Sequence, residues 1–364
     1  MRRFLAISLL LAACGGTGRA PFPLTTIPLP RDAALSPYDP QRPGTAHPYW
    51  MVSLDGHVYV SLGNLRADYS VGGPGMVAEI DPQGGVTRTI SLGGADGRAC
   101  QNTGIIRTDG TSLFVACGGD FNSTTGRAIA QIDLAHPDAP QVTTLAAEDA
   151  PAGMAVSAGR IWLGLAGTST LVALDRSTTP PRVVAHVALA CPQTPNTGFG
   201  YAPDLAVVGN DLYALCSSDI GGTIFRLDPA TGQERSHAGV GATPTSLAAT
   251  SDGRIAVVCS GDNTLWLATP SAGTGLTATL AYTFASGTSI LQDVRAQGRF
   301  RFTTASGSNT VQKIDPSTIP AKVVAEQRTG NAPWDIALID EDRAIVSNSL
   351  SDDLSRIDFT APVK

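Results

Sequence analysis

Gly307-Ser308-Asn309-Thr310-Val311-Gln312-Lys313-Ile314-Asp315 reads as a polar turn feeding an apolar-patterned run that ends in Ile-Asp. The ending recurs along the chain in Ala78-Glu79-Ile80-Asp81, Ala130-Gln131-Ile132-Asp133, Val172-Ala173-Leu174-Asp175, Phe225-Arg226-Leu227-Asp228 and Leu354-Ser355-Arg356-Ile357-Asp358. A degenerate copy, Leu265-Trp266-Leu267-Ala268-Thr269, fills the one gap. The spacings between Asp81, Asp133, Asp175, Asp228, Thr269, Asp315 and Asp358 are 52, 42, 53, 41, 46 and 43 residues. Their mean of about 46 is the length of one four-stranded unit in a radially repeating fold, and self-similarity at such a period outranks element-by-element reading.

Each unit has the same internal order. A strand such as Asp204-Leu205-Ala206-Val207-Val208 comes first and is followed by a tight turn: Gly209-Asn210, Asp252-Gly253 or Ala158-Gly159. These turns suit hairpins. A β-rich second run follows, exemplified by His57-Val58-Tyr59-Val60, Leu113-Phe114-Val115-Ala116, Ile161-Trp162-Leu163-Gly164, Leu212-Tyr213-Ala214-Leu215 and Ile255-Ala256-Val257-Val258. The Ile-Asp run is third, and a strand like Arg182-Val183-Val184-Ala185-His186-Val187 closes the unit. Period-two alternation and β-branched content support strands throughout, and no window carries a helical stripe. The expected fold is all-β: a seven-bladed β-propeller of four-stranded antiparallel blades over 22–364. The seventh unit supplies only three strands after Asp335. Phe22-Pro23-Leu24-Thr25-Thr26-Ile27-Pro28-Leu29, extended and proline-rich, is expected to be the fourth and to close the ring from an edge position, where proline is tolerated.

Three copies carry a longer phrase: residues 307–315, Gly261-Asp262-Asn263-Thr264-Leu265, and Gly167-Thr168-Ser169-Thr170-Leu171-Val172-Ala173-Leu174-Asp175. These resemble the repeat of the YVTN-type, YncE-like propellers of the quinoprotein-like superfamily, over nearly all of 45–359. The resemblance implies a fold and no particular chemistry.

Composition bounds the rest. Charged residues are 15% of the 364, hydrophobic residues 43%, and the net charge is −6. A full core is available. There is no basic surplus to neutralise phosphates, so nucleic acid is not an expected partner. Arg2 and Arg3 precede a ten-residue apolar run, Phe4 to Ala13, which is too short to span a bilayer and fits an export signal. Leu11-Ala12-Ala13-Cys14 resembles a bacterial lipobox. The resemblance implies cleavage of residues 1–13, lipidation of Cys14 and a flexible tether over 14–21, with attachment to the membrane through the lipid. Gly15, where an inner-membrane lipoprotein would carry Asp, favours the outer membrane of the cell envelope.

Export permits disulfides. Cys117, Cys216 and Cys259 end second strands, whereas Cys100 and Cys191 just precede first strands. In a propeller these places meet on one face, so Cys100 is expected to pair with Cys117 and Cys191 with Cys216, leaving Cys259 as a buried thiol.

Propeller ligands sit over the central channel, where loops enter the first strands. The candidate ligand-binding residues there are Tyr49, Trp50, Gln101, Tyr201, Asp204, Asp293, Trp334 and Asp335. Aromatics beside carboxylates suit a polar or cationic small molecule or a docking envelope protein. The competing reading is that these residues wedge the blades together. The insertion from Arg66 to Gly75 lengthens the first unit near this mouth. Catalysis has weaker support. Of His47, His57, His136, His186 and His237, only His47 reaches the mouth, and no GxSxG, HExxH or P-loop motif is present. Streptogramin lyases share the repeat type and are similar in using histidine and glutamate with magnesium, a cluster missing here. The expected function is therefore a lipid-anchored, non-enzymatic binding module. A metal- or carboxylate-dependent hydrolase or lyase at the same mouth is the alternative. Asp120, Asp219, Asp262 and Asp352-Asp353 leave second strands and could hold Ca²⁺, although Asp is equally expected in turns.

Overall fold

The structure, a computed structural model, describes residues 25–29, 44–120, 123, 125–157, 159–191, 201–218, 220–273, 275–285 and 290–360. The expected export signal, Cys14, the expected tether, Phe22 to Leu24 and Asp219 lie outside the described residues. Within them are 28 strands and no helix. The strands form seven four-stranded antiparallel sheets, six of them in simple up-and-down order along the chain. The innermost strands are Pro48–Leu54, Thr103–Thr108, Pro151–Val156, Leu205–Val208, Pro244–Ala249, Leu291–Gln297 and Pro333–Leu338, belonging to blades 1 to 7. This is a seven-bladed β-propeller.

The chemistry of the turns sets each register. In blade 1, Leu54 opposes His57, so the loop is the two residues Asp55 and Gly56, with φ of 51° and 81°. Two consecutive left-handed residues match the twist of a hairpin, and Gly accepts that conformation at no steric cost. Apolar side chains from the two faces of each blade then meet those of its neighbours. One cluster joins Val77, Ile106, Phe114, Val115, Ile129 and Leu163 from blades 1 to 3. Trp162 is fully buried between blades 3 and 4, and its indole Nε1 donates to the Pro229 carbonyl at 2.9 Å.

The seventh sheet closes as the sequence suggests. Thr25–Pro28 pairs antiparallel with Asp353–Asp358 as the outermost strand, Ile27 opposite Leu354. Ile27 and Leu29 are buried, Ile27 in a cluster with Met51, Val58 and Leu354. Both expected disulfides form, Cys100–Cys117 and Cys191–Cys216, closing loops of 17 and 25 residues. Cys259 is a buried free thiol whose pKa burial pushes up to about 12, so it stays protonated.

Candidate functional site

The axis of the ring is built by one recurring position. Met51, Ile106, Met154, Leu205, Leu247, Val294 and Ile336 occupy the same register against their second strands. The residue before each of them is Trp50, Ile105, Gly153, Asp204, Ser246, Asp293 and Asp335 in turn. The inner wall is thus apolar or bare in blades 1 to 3 and polar in blades 4 to 7.

The polar half forms one connected layer. Ser246 Oγ donates to Asp293 at 2.7 Å and lies 3.1 Å from Asp204. Arg295 contacts Asp293 at 3.2 Å and Asp335 at 2.7 Å. Arg107, from blade 2, reaches past blade 3 to Asp204 at 2.6 Å. It can do so because blades 3 and 4 approach closely: a Cβ on Gly153 would lie 2.6 Å from Leu205 Cδ1, and one on Gly164 would lie 2.2 Å from the Ala202 carbonyl. The Arg107 guanidinium also lies 5.6 Å from the centroid of the Trp50 ring.

These carboxylates also tie blade to blade. Asp204 accepts the Leu247 N–H at 3.1 Å, and Asp335 accepts the Met51 N–H at 2.6 Å across the ring closure. Ser347 Oγ donates to the Tyr49 carbonyl at 2.6 Å, and Thr304 Oγ1 to the Trp334 carbonyl at 3.0 Å, adding parallel ties. Asp204 is 1% exposed, and Asp293 and Asp335 are 0% exposed. Burial pushes the Asp293 carboxyl well above the ordinary carboxylate range; Arg295 opposes that shift and the Asp335 charge reinforces it. Two guanidinium groups thus face three buried carboxyls in this layer.

Above this layer the entry segments share a backbone device. His47, Asn102, Thr243 and Ala332 have φ of 48°, 51°, 49° and 53°. Their carbonyls accept the N–H groups of Gly63, Gly118, Ser260 and Ser349 at 3.1, 2.9, 2.9 and 3.1 Å. Gln101 and Trp50 are buried within this region, and Tyr201, Tyr49 and Trp334 are half-buried. An aromatic row crosses the seam between blades 7 and 1: Trp334 to Tyr49 at 5.4 Å, Tyr49 to His47 at 4.9 Å, and His47 to Tyr69 at 5.6 Å, all edge-to-face. Tyr69 belongs to the insertion, which folds onto the first entry segment through the Leu65 bridges to Thr45 and Val71 and leaves the Tyr69 side of the row half-exposed. Burial lowers the pKa of His47 against the pull of Asp352, so the ring is neutral at physiological pH, and burial raises that of Tyr49.

The eight expected residues therefore divide. Tyr49 and Trp334 join the aromatic row, and Asp204, Asp293 and Asp335 lie in the buried layer beneath. Trp50 packs under Arg107, while Gln101 and Tyr201 belong to the entries of blades 2 and 4. Among the described residues no three His, Cys, Asp or Glu side chains gather as a metal site. Asp262 and Asp353 instead accept hydrogen bonds from Thr264 at 2.6 Å and Ser351 at 2.8 Å within their own loops. Asp352 accepts the His47 N–H at 2.9 Å. Arg107 and Arg295 escaped the sequence reading. Their signal is spacing: they stand two residues beyond Ile105 and Asp293, the inner-wall residues of their blades, and so on the same side of the strand.

No family model matches the chain, and no curated protein matches it in sequence. Solved structures do match. A chain of Kuenenia stuttgartiensis hydrazine synthase is 15% identical, covering 87% of this chain and 97% of that one, with a TM-score of 0.66. A streptogramin B lyase is 14% identical over 92% and 97%, with a TM-score of 0.67. The virginiamycin B lyase of Staphylococcus aureus with quinupristin, an inactive variant, is 16% identical over 92% and 98%, with a TM-score of 0.65. The likeness is one of fold. At such identity a shared propeller carries no shared chemistry, which resides in the site.

Proposed function

We propose that this chain is a YVTN-type propeller acting as a lipid-anchored, non-enzymatic binding module of the cell envelope, its ligand seated at the upper mouth against Tyr49 and Trp334. The half-exposed aromatic row carries this reading, because edge-to-face rings beside the Asp352 carboxylate suit a small polar or cationic molecule. The carboxyls nearest that mouth support binding over turnover. Asp204, Asp293 and Asp335 are buried and engaged by guanidinium, hydroxyl and N–H groups, whereas an acid–base catalyst must touch its substrate. The Leu11-Ala12-Ala13-Cys14 sequence and the two disulfides support export and anchoring at the outer membrane. Native mass spectrometry of the protein released from its own host's envelope tests the binding reading. A stoichiometric small molecule or envelope protein, lost in Trp334→Ala with the fold intact, is the expected result. Turnover of that molecule would replace the reading with the hydrolase or lyase alternative. Fatty-acid labelling that persists in Cys14→Ser would remove the anchor.

A further inference from the structure

The opposite end of the channel holds a second feature that the mouth does not use. Below the buried layer a cavity of about 360 Å³ is lined by the later halves of the inner strands, and Ser53 and Ala249 at its rim are exposed, so it opens on the hairpin face. Its volume falls within the range of small-ligand sites. Its walls are alkyl, from Val52, Ile106, Leu205, Leu247, Ile336 and Leu338. Among the described residues, its only charged lining residues are Arg107 and Arg295. Although the chain has 31 acidic and 25 basic residues, no acidic side chain among the described residues lines it. The reason is geometric. The guanidinium groups stand between the cavity and their carboxylate partners: the Arg107 and Arg295 side chains are 19% and 20% exposed, whereas those of Asp204, Asp293 and Asp335 are 0–1% exposed. Guanidinium has five N–H donors and no acceptor. Contacts with described residues engage two N–H groups of Arg107, with Ile106 O and Asp204, and three of Arg295, with Ile336 O, Asp293 and Asp335. Both side chains are fixed by these contacts, so the remaining donors are pre-oriented.

We infer that this cavity binds a small organic monoanion with an apolar body, a short carboxylic acid in chemical class, its head on the face of Arg107 and Arg295 and its chain against the alkyl wall. A cation would meet guanidinium with no carboxylate at the surface. A dianion would need two unengaged cations, and each guanidinium here already contacts a buried carboxyl. The inference is independent of the mouth reading, because the two sites share no residue.

Titration calorimetry of the full chain with hexanoate, hexanol and hexylammonium tests it. Hexanoate is expected to saturate one site about tenfold or more tightly than hexanol, the margin of a charge-assisted hydrogen bond, and hexylammonium to give no saturable heat. Arg107 and Arg295 also hold the layer together, so the diagnostic variant is Ala249→Phe, which fills the rim and leaves both arginines in place. Loss of hexanoate binding at unchanged melting temperature is expected. Absence of a saturable hexanoate site, equal affinity for hexanol, or binding that survives Ala249→Phe would each overturn the inference.

Discussion

Asp293 has no contact with solvent and shares its surroundings with Ser246, Arg295 and Asp335. Its carboxyl is pushed upward, so the folded protein holds a proton there that the unfolded chain releases near pH 4. The sign follows from linkage: this stabilising contribution is complete below about pH 4 and is lost as pH rises through the native value. Asp293→Asn, a permanently neutral mimic of the protonated acid, should therefore match the parent near pH 4 and gain on it steadily toward pH 8 in thermal denaturation. A variant that instead falls behind as pH rises would show that the acid is ionised in the fold. Asp335 acts differently, because it accepts both the Met51 N–H and the Arg295 guanidinium. Asp335→Ala leaves the buried Met51 N–H without its acceptor and removes one of the three partners of Arg295, and should cost about 2 kcal/mol or more in urea unfolding.

At the scale of elements, Thr25–Pro28 is the strand that closes the ring. It enters the sheet from the other end of the sequence, and its energy lies in one face: Ile27 is buried against Met51, Val58 and Leu354, whereas Thr26 is exposed. Ile27→Ala should destabilise the protein by about 2–4 kcal/mol, the usual cost of a core truncation, with Thr26→Ala within about 0.5 kcal/mol of the parent. Equal effects at the two positions in chemical denaturation would mean that the strand is not packed as described. The entry segments show a second element-scale lesson. His47, Asn102, Thr243 and Ala332 share a left-handed backbone although their side chains have nothing in common. The repeated unit there is a hydrogen-bonded backbone turn, and this is why the sequence of these segments looks so variable.

Across the whole molecule, each blade is a thin sheet whose two faces need neighbours, and the ring satisfies all seven at once. The disulfides clip the entry of blades 2 and 4 to their second strands, closing loops of 17 and 25 residues worth about 3 kcal/mol each in chain entropy. Removing both cysteines of the Cys191–Cys216 pair should lower the unfolding free energy by about that amount with no loss of the propeller's circular dichroism. An unchanged midpoint would place the stability elsewhere.

The chain's own periodicity determined the blade count, the strand order, the closing strand and the cysteine pairing. Each depends on local pattern or on which ends of neighbouring strands meet, and both repeat with the period. The axis was not legible in the same way. Asp204, Asp293 and Asp335 could be picked out as entering first strands at the channel mouth, but nothing linear says that they are buried, or that Arg107, 97 residues before Asp204, crosses a whole blade to reach it. That contact exists because Gly153 and Gly164 let two blades draw together, a consequence of side chains that are absent. Only the closed ring decided which carboxylates are buried behind which guanidinium groups, since charge, burial and access at an axis are properties of all seven blades together.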